Sequence, residues 1–229
     1  MFKKKIICLI PAKKKSSQIK NKNMLKIDNK PLIYYTLKEA IKSKYIDEIF
    51  LSSDCDKILK YAEKFGINTL KRPKSISLKT TKASQVIDHF VSKIKLEFEK
   101  ISIIYLQPTS PLRKVRHIDD AIKLHIKSNK KCVISVSAIN NTILKSFIFN
   151  KKKLVPLEGG KYIGYNRQEL PRTFKPNGAI YIFSITSYKK LKNIPYNNSI
   201  PYIMNSADSI DLDTLTDLKK IKKTINEKK

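Results

Sequence analysis

Apolar residues fall in short runs along this chain, and between the runs they recur at helical spacing. Residues 5–10 (KIICLI) carry an apolar run fit for a central parallel strand. Residues 31–43 (PLIYYTLKEAIKS) open with proline at a first-turn position and then repeat apolar residues at three- and four-residue intervals, which predicts a helix. The pattern then recurs. Residues 47–53 (DEIFLSS) predict a strand, 55–65 a helix ended by Gly66, and 67–70 a short strand. Residues 83–100 predict a long amphipathic helix, 101–107 (ISIIYLQ) a buried strand, 118–128 a helix and 132–136 a strand. Such alternation predicts an α/β fold: a doubly wound, mostly parallel sheet with helices on both faces.

The alternation stops after Ser137. From there to about Pro176 the sequence holds LKSFIFNKKKLVPLEGGKY, with a basic hairpin-like turn and the pair Gly159-Gly160, which predicts a β-rich insertion. Residues 178–184 (GAIYIFS) return as a strand, and 213–225 close the chain as a helix. The expected organisation is an α/β body over 1–137 and 171–229, interrupted by an insertion over 138–170.

Composition changes this picture in one respect. The 229 residues include 48 Lys and Arg against 19 Asp and Glu, a formal charge of +29, which first suggests nucleic acid or an anionic membrane as partner. Yet nearly all the excess is lysine, with arginine only at 72, 113, 116, 167 and 172, and the lysines are scattered over every polar face. A nucleic-acid groove needs one basic stripe backed by stacking aromatics, so nucleic acid is not the expected partner. The apolar run in MFKKKIICLIPAKKK is too short for a signal peptide or a membrane span, and Cys8, Cys55 and Cys132 lack metal-ligand spacing. A soluble cytoplasmic protein with buried, reduced thiols is expected, with no membrane partner.

Ligands of open parallel sheets bind beyond the carboxyl ends of the strands. Four segments fall there. The loop after the first strand, IPAKKKSSQIKNKN, has neither GxGxxG nor a GxxxxGK phosphate loop, and instead offers Lys13, Lys14, Lys15, Ser16, Ser17, Lys20, Lys22 and Asn23 to a polyanion. Lysines in such a loop neutralise a triphosphate and the charge that develops on leaving pyrophosphate. In LSSDCD, Asp54 stands as a helix cap or a ligand. In LQPTSPLR, two prolines stiffen a turn that presents the amide of Gln107. In SADSIDLD, strand-like alternation places Asp211 and Asp213 on one face, where two carboxylates hold Mg²⁺; the competing role for Asp213 is to cap the final helix. A lysine cradle with paired carboxylates on one sheet suits chemistry at a nucleoside triphosphate.

These segments, with KPLIYYTLKEA, DEIFLSSD, LKRP, HIDDAI and RQELPRTFKPNGAIYIF, resemble the acylneuraminate cytidylyltransferases and their relatives that activate legionaminic acid or Kdo, in the family's order along almost the whole chain. The resemblance implies a Rossmann-like nucleotidyltransferase with a dimerising β-rich insertion. It also implies CMP transfer from CTP to the anomeric hydroxyl of a nine-carbon acidic sugar with Mg²⁺ and release of pyrophosphate, in a homodimer. It carries Lys22, Asp211 and Gln107 over as catalytic residues, and Ala12, Lys13, Ser16, Asn23, Arg72 and Thr81 as nucleotide-binding residues. Gln107, Lys145, Arg167, Asn177 and Tyr181 come over as sugar-binding residues, and Asp211 and Asp213 as the metal pair. The sugar is itself a carboxylate, so a fixed guanidinium such as that of Arg167 suits its pocket. In the family, the segment matching 137–170 reaches over the neighbouring subunit's site.

The chain departs from the family's opening loop: Lys13 replaces an arginine, Lys15 and Gln18 glycines, and Ser17 a lysine, while Thr80, Thr81 and Lys82 fill places where an acidic residue is usual. Within the enzyme class, a Kdo or pseudaminate acceptor is the alternative. From another class, the alternative is a non-catalytic relative that only binds nucleotide or nucleic acid.

Overall fold

A computed structural model describes residues 5–16, 18–94, 101–129 and 131–227. Ser17 of the opening loop and residues 95–100, the far end of the helix expected over 83–100, lie outside the described residues.

The core is a sheet whose strands alternate between two apolar faces. β1 (Lys5–Pro11) lies at its centre, parallel to β4 (Glu48–Ser53) on one side and β6 (Ile101–Tyr105) on the other. Ile6, Cys8 and Ile10 of β1 pack with α1 (Leu32–Ile41), α2 (Asp56–Glu63) and α4 (Val115–Lys127). Ile7 and Leu9 pack the other way, with α3 (Ala83–Lys93) and α5 (Ile185–Leu191). A strand buried on both faces has no polar side to show, which is why KIICLI reads as an unbroken apolar run.

With β5 (Asn68–Lys71), β7 (Val133–Ile139), β10 (Thr173–Ser184) and β11 (Ile200–Ile203), the sheet has seven strands in the order β11-β7-β10-β6-β1-β4-β5. β10 is antiparallel to both neighbours and the other pairings are parallel, so the doubly wound, mostly parallel expectation holds. α2 stops where Gly66 takes φ +68 and its N–H reaches the Glu63 carbonyl at 3.0 Å. Pro31 is the capping residue before α1 and not its first turn, because it pairs with Lys26 in the two-residue strands β2 (Lys26–Ile27) and β3 (Lys30–Pro31).

A third apolar cluster holds the ligand edge together. Ile19 of the opening loop, Ile27, Leu32, Leu112 of LQPTSPLR, Leu212 and Ile221 of α6 (Leu215–Glu227) are all buried against one another. Leu212 sits between the two aspartates, so its burial fixes where both of them stand.

Between β7 and β10 the chain forms β8 (Phe147–Asn150) and β9 (Lys153–Pro156), which pair only with each other, followed by a series of turns. The turn between them puts Lys151 and Lys152 at φ 45 and 65, the left-handed pair a two-residue hairpin requires, on residues less suited to it than Asn-Gly. Cys8 and Cys132 are buried as expected, whereas Cys55 is half-exposed because it stands at the mouth of α2. Among the described residues no helix is long and apolar enough to cross a membrane.

Candidate active site

A cavity of about 390 Å³ opens at the carboxyl ends of β1 and β6. Its wall brings together nine of the expected residues: Lys13, Ser16, Lys22, Asn23, Arg72, Thr81, Gln107, Asp211 and Asp213. These come from five separate stretches of sequence, converging because parallel strands deliver their loops to one edge.

The opening loop is fixed without any glycine. The Asn23 side-chain amide donates to the Lys13 carbonyl at 2.8 Å, the Lys14 N–H donates to Asp54 Oδ1 at 2.7 Å, and the Lys13 ammonium donates to the Leu78 carbonyl at 3.3 Å. Asn21, at φ 53, supplies the left-handed residue before the short turn Lys22–Met24. Asp54 is thus neither a helix cap nor a cavity ligand: its carboxylate pins the loop backbone, and Cys55 is the capping position of α2.

Arg72 is the most telling side chain in the wall. It is 3% exposed, yet among the described residues its Nε and Nη2 have no hydrogen-bond partner. A buried guanidinium without acceptors is costly unless an anion or a polar ring completes it. Burial pushes its pKa down, with Tyr105 and Asp54 opposing. Burial likewise lowers that of Lys13, helped by the neighbouring Arg72 and Lys22. Lys13, Lys22, Arg72 and Lys82 face the carboxylates of Asp211 and Asp213, so cations outnumber anions in the wall.

The carboxylates are unequal. Asp211 is largely buried, with Oδ1 lacking a partner among the described residues, and burial raises its pKa although a hydrogen bond from Thr109 pulls the other way. Asp213 is exposed and paired: Lys22 Nζ lies 3.0 Å from its Oδ1 and 2.6 Å from the Leu212 carbonyl. The strand-like alternation expected here is absent. The Asp213 N–H turns back to the Asp211 carbonyl at 3.1 Å, and both side chains reach the cavity through this tight turn and the burial of Leu212. Asp213 does not cap α6 with its side chain either. Thr214 and Asp217 exchange hydrogen bonds there, with Asp217 Oδ2 accepting from the Thr214 N–H at 2.7 Å and Thr214 Oγ1 from the Asp217 N–H at 3.2 Å.

Mg²⁺ ordinarily takes one or two carboxylates, and substrate phosphates and water complete its shell. The orphaned, buried Oδ1 of Asp211 beside a second carboxylate fits that arrangement. Among the described residues no group of three His, Cys, Asp or Glu could form a protein-only cage.

Gln107 is held from behind by the rest of its loop. Arg113 is 1% exposed and donates to the carbonyls of Gln107 at 3.1 Å and Ala179 at 2.7 Å, and to Thr36 Oγ1 at 2.7 Å. Gly178, at φ +76, passes so close that a Cβ there would stand 2.7 Å from Gln107 Oε1 and 3.4 Å from Asp211 Oδ2.

Five expected residues do not line this cavity. Ala12 is fully buried, donating its N–H to the Ser52 carbonyl at 2.9 Å. The side chain of Asn177 is buried and consumed at the irregularity of β10: Oδ1 accepts from Ser135 Oγ at 2.6 Å, and Nδ2 donates to Ser137 Oγ and Ser209 Oγ. Tyr181 lies one layer back, edge-on to the cavity residue Tyr105 at 6.4 Å, with burial pushing its pKa up to about 12. Lys145 and Arg167 stand in short turns of the insertion, Arg167 exposed. The wall also contains Val86, Tyr105 and Thr109, which sequence reasoning did not single out, and Lys82, which it marked only as a departure from the family pattern. Thr109 lay inside the quoted LQPTSPLR, but only the coordinates bring it to Asp211.

Fold and site together define a doubly wound α/β protein with a cationic, carboxylate-bearing cavity at the sheet's ligand edge. The family description "Cytidylyltransferase" matches residues 7–228, and the chain belongs to that family. It is 32% identical over 98% of its length to the N-acylneuraminate cytidylyltransferase of Escherichia coli O18:K1:H7, covering 53% of that protein. It is also 32% identical to the CMP-N,N'-diacetyllegionaminic acid synthase of Legionella pneumophila, covering 93% of each chain. The chain thus spans about half the length of the first curated relatives it matches. A solved CMP:2-keto-3-deoxy-manno-octonic acid synthetase complexed with CTP superposes with a TM-score of 0.75 over 98% of this chain and 100% of that one. At 14% identity that likeness concerns the fold.

Proposed function

We propose that this chain transfers CMP from CTP to the anomeric hydroxyl of a nonulosonic acid of the N-acetylneuraminate or legionaminate type. The observation that carries the reading is the convergence of Lys13, Lys22, Arg72, Asp211 and Asp213 on one cavity, in a member of the cytidylyltransferase family. In the reaction the anomeric oxygen bonds the α-phosphorus, the bond from that phosphorus to pyrophosphate breaks, and the hydroxyl proton is released. Lys13 and Lys22 neutralise phosphate oxygens, and Arg72 uses its unpaired N–H groups on the nucleotide. Asp211 and Asp213 would hold Mg²⁺, which offsets phosphate charge when bound. Gln107 carries a neutral amide that is no base, so its task is to orient the acceptor.

The same proposal extends to assembly as a homodimer in the cytoplasm, with 138–170 as the dimerising unit. Phe147, Ile148, Phe149, Leu154 and Val155 of the hairpin are all exposed, a density of apolar surface that marks an interface. Lys145 and Arg167 stand on this same insertion, outside their own chain's cavity, which supports their serving the acceptor in a partner's site.

The test is pyrophosphate release from CTP and Mg²⁺ with a panel of nine-carbon and eight-carbon keto acids. Release is expected with a sialic or legionaminic acid; silence across the panel would remove the proposal, and release with an eight-carbon acid alone would move it to the Kdo type.

A further inference from the structure

In this site a cation already sits on one of the two carboxylates, and it belongs to the protein. Lys22 Nζ is 3.0 Å from Asp213 Oδ1 and 2.6 Å from the Leu212 carbonyl, and its side chain is only 13% exposed. Asp211, on the other side of Leu212, keeps Oδ1 buried and without a partner among the described residues. A metal ion shared by the two aspartates therefore finds one ligand free and the other engaged by an ammonium. For Asp213 to turn to a metal, Lys22 must give up that contact. Moving a half-buried ammonium away from its carboxylate is unfavourable unless another anion receives it. With both aspartates on the metal, the described wall of the cavity offers none: its other charged groups are Lys13, Arg72 and Lys82. A triphosphate supplies the missing anion.

Resting on the proposed reading of the site, we propose that Lys22 holds the metal's place in the nucleotide-free protein. The divalent ion then enters effectively only with the triphosphate that takes Lys22 over, and the form of nucleotide the site accepts is the metal complex. The Leu212 carbonyl lets Lys22 exchange one anion for another without leaving its position, keeping one hydrogen bond throughout. By linkage, the factor by which nucleotide tightens metal binding equals the factor by which metal tightens nucleotide binding.

The test is equilibrium binding of Mn²⁺ to the 229-residue chain, read by the loss of its free electron paramagnetic resonance signal, with and without CTP and without acceptor. Wild type should bind Mn²⁺ weakly alone and at least about tenfold more tightly with CTP, after correction for Mn²⁺–CTP association in solution. Lys22→Met and Lys22→Gln, each checked by circular dichroism, should bind Mn²⁺ alone about five- to tenfold more tightly than wild type and lose most of the coupling. If both folded variants bind Mn²⁺ alone no better than wild type while CTP still promotes binding in wild type, the inference is wrong and the assigned nucleotide site stands. If wild type binds no Mn²⁺ even with CTP, the metal pair and the inference fall together.

Discussion

The cavity at the ligand edge and the hairpin of the insertion make opposite use of apolar residues. Around the cavity they are hidden: Ile19, Leu112, Leu212 and Ile221 interlock beneath the loops that carry the polar groups, so each charge has a fixed address. In the hairpin they are displayed: Phe149 is 73% exposed and Leu154 66%. One region is closed over by its own chain and the other leaves its apolar side chains uncovered among the described residues. The functional residues divide the same way, with the proposed nucleotide and metal groups on the closed part and Lys145 and Arg167 on the uncovered one.

Breaking the closed region at its chemistry should have the largest effect. Asp211→Asn should lower turnover on the order of 10²-fold or more, while the melting temperature stays level or rises, since burial disfavours the charged carboxylate. Steady-state kinetics beside a thermal melt checks both halves, and a variant with normal turnover would take Asp211 out of the metal pair. Gly178→Ala attacks the same region through its backbone. A positive φ and a Cβ 2.7 Å from Gln107 Oε1 should destabilise the fold by about 1–3 kcal/mol in urea denaturation and weaken acceptor use.

A charge in the uncovered region should separate assembly from folding. Phe149→Asp should convert the proposed dimer to monomer in analytical ultracentrifugation, while the monomer's stability changes by no more than about 0.5 kcal/mol. A smaller effect belongs to His117, at the start of α4. Burial lowers its pKa, Arg116 and Arg113 push the same way, and Asp208 and Asp120 oppose. An unfolded chain takes up this proton first, near pH 6.5. The stability His117 contributes is therefore whole above that pH and is lost as pH falls toward and through its depressed folded value. His117→Gln should flatten the decline between pH 7 and 5.

How much of this was legible depended on whether a residue acts through its own pattern or through a distant partner. Mostly apolar runs revealed β1 and β6, because burial on both faces leaves little room for polar side chains; Ser102 of β6 is buried with its hydroxyl on His125. The opening loop and the two aspartates were legible as charge at a strand's end, though the reason given for Asp211 and Asp213 was wrong: a tight turn anchored by Leu212 brings them together, not strand alternation. Thr109 was missed because nothing local marks a threonine that meets a carboxylate far along the chain. Asn177 was over-read, since its amide is consumed by Ser135, Ser137 and Ser209. α5 and β11 were missed because each is short and its apolar pattern spans only about two periods.

The contrast between the two regions reduces to one claim: a complete acceptor site joins the cavity of one chain to the insertion of its partner. Mixing Asp211→Asn protein with Arg167→Ala protein under conditions of subunit exchange tests it directly. Each variant alone should be strongly impaired. In half of the mixed population one intact cavity should meet one intact insertion, restoring about a quarter of the wild-type rate by the statistics of a twofold dimer. No gain on mixing, or full activity of the Arg167 variant alone, would contradict the account.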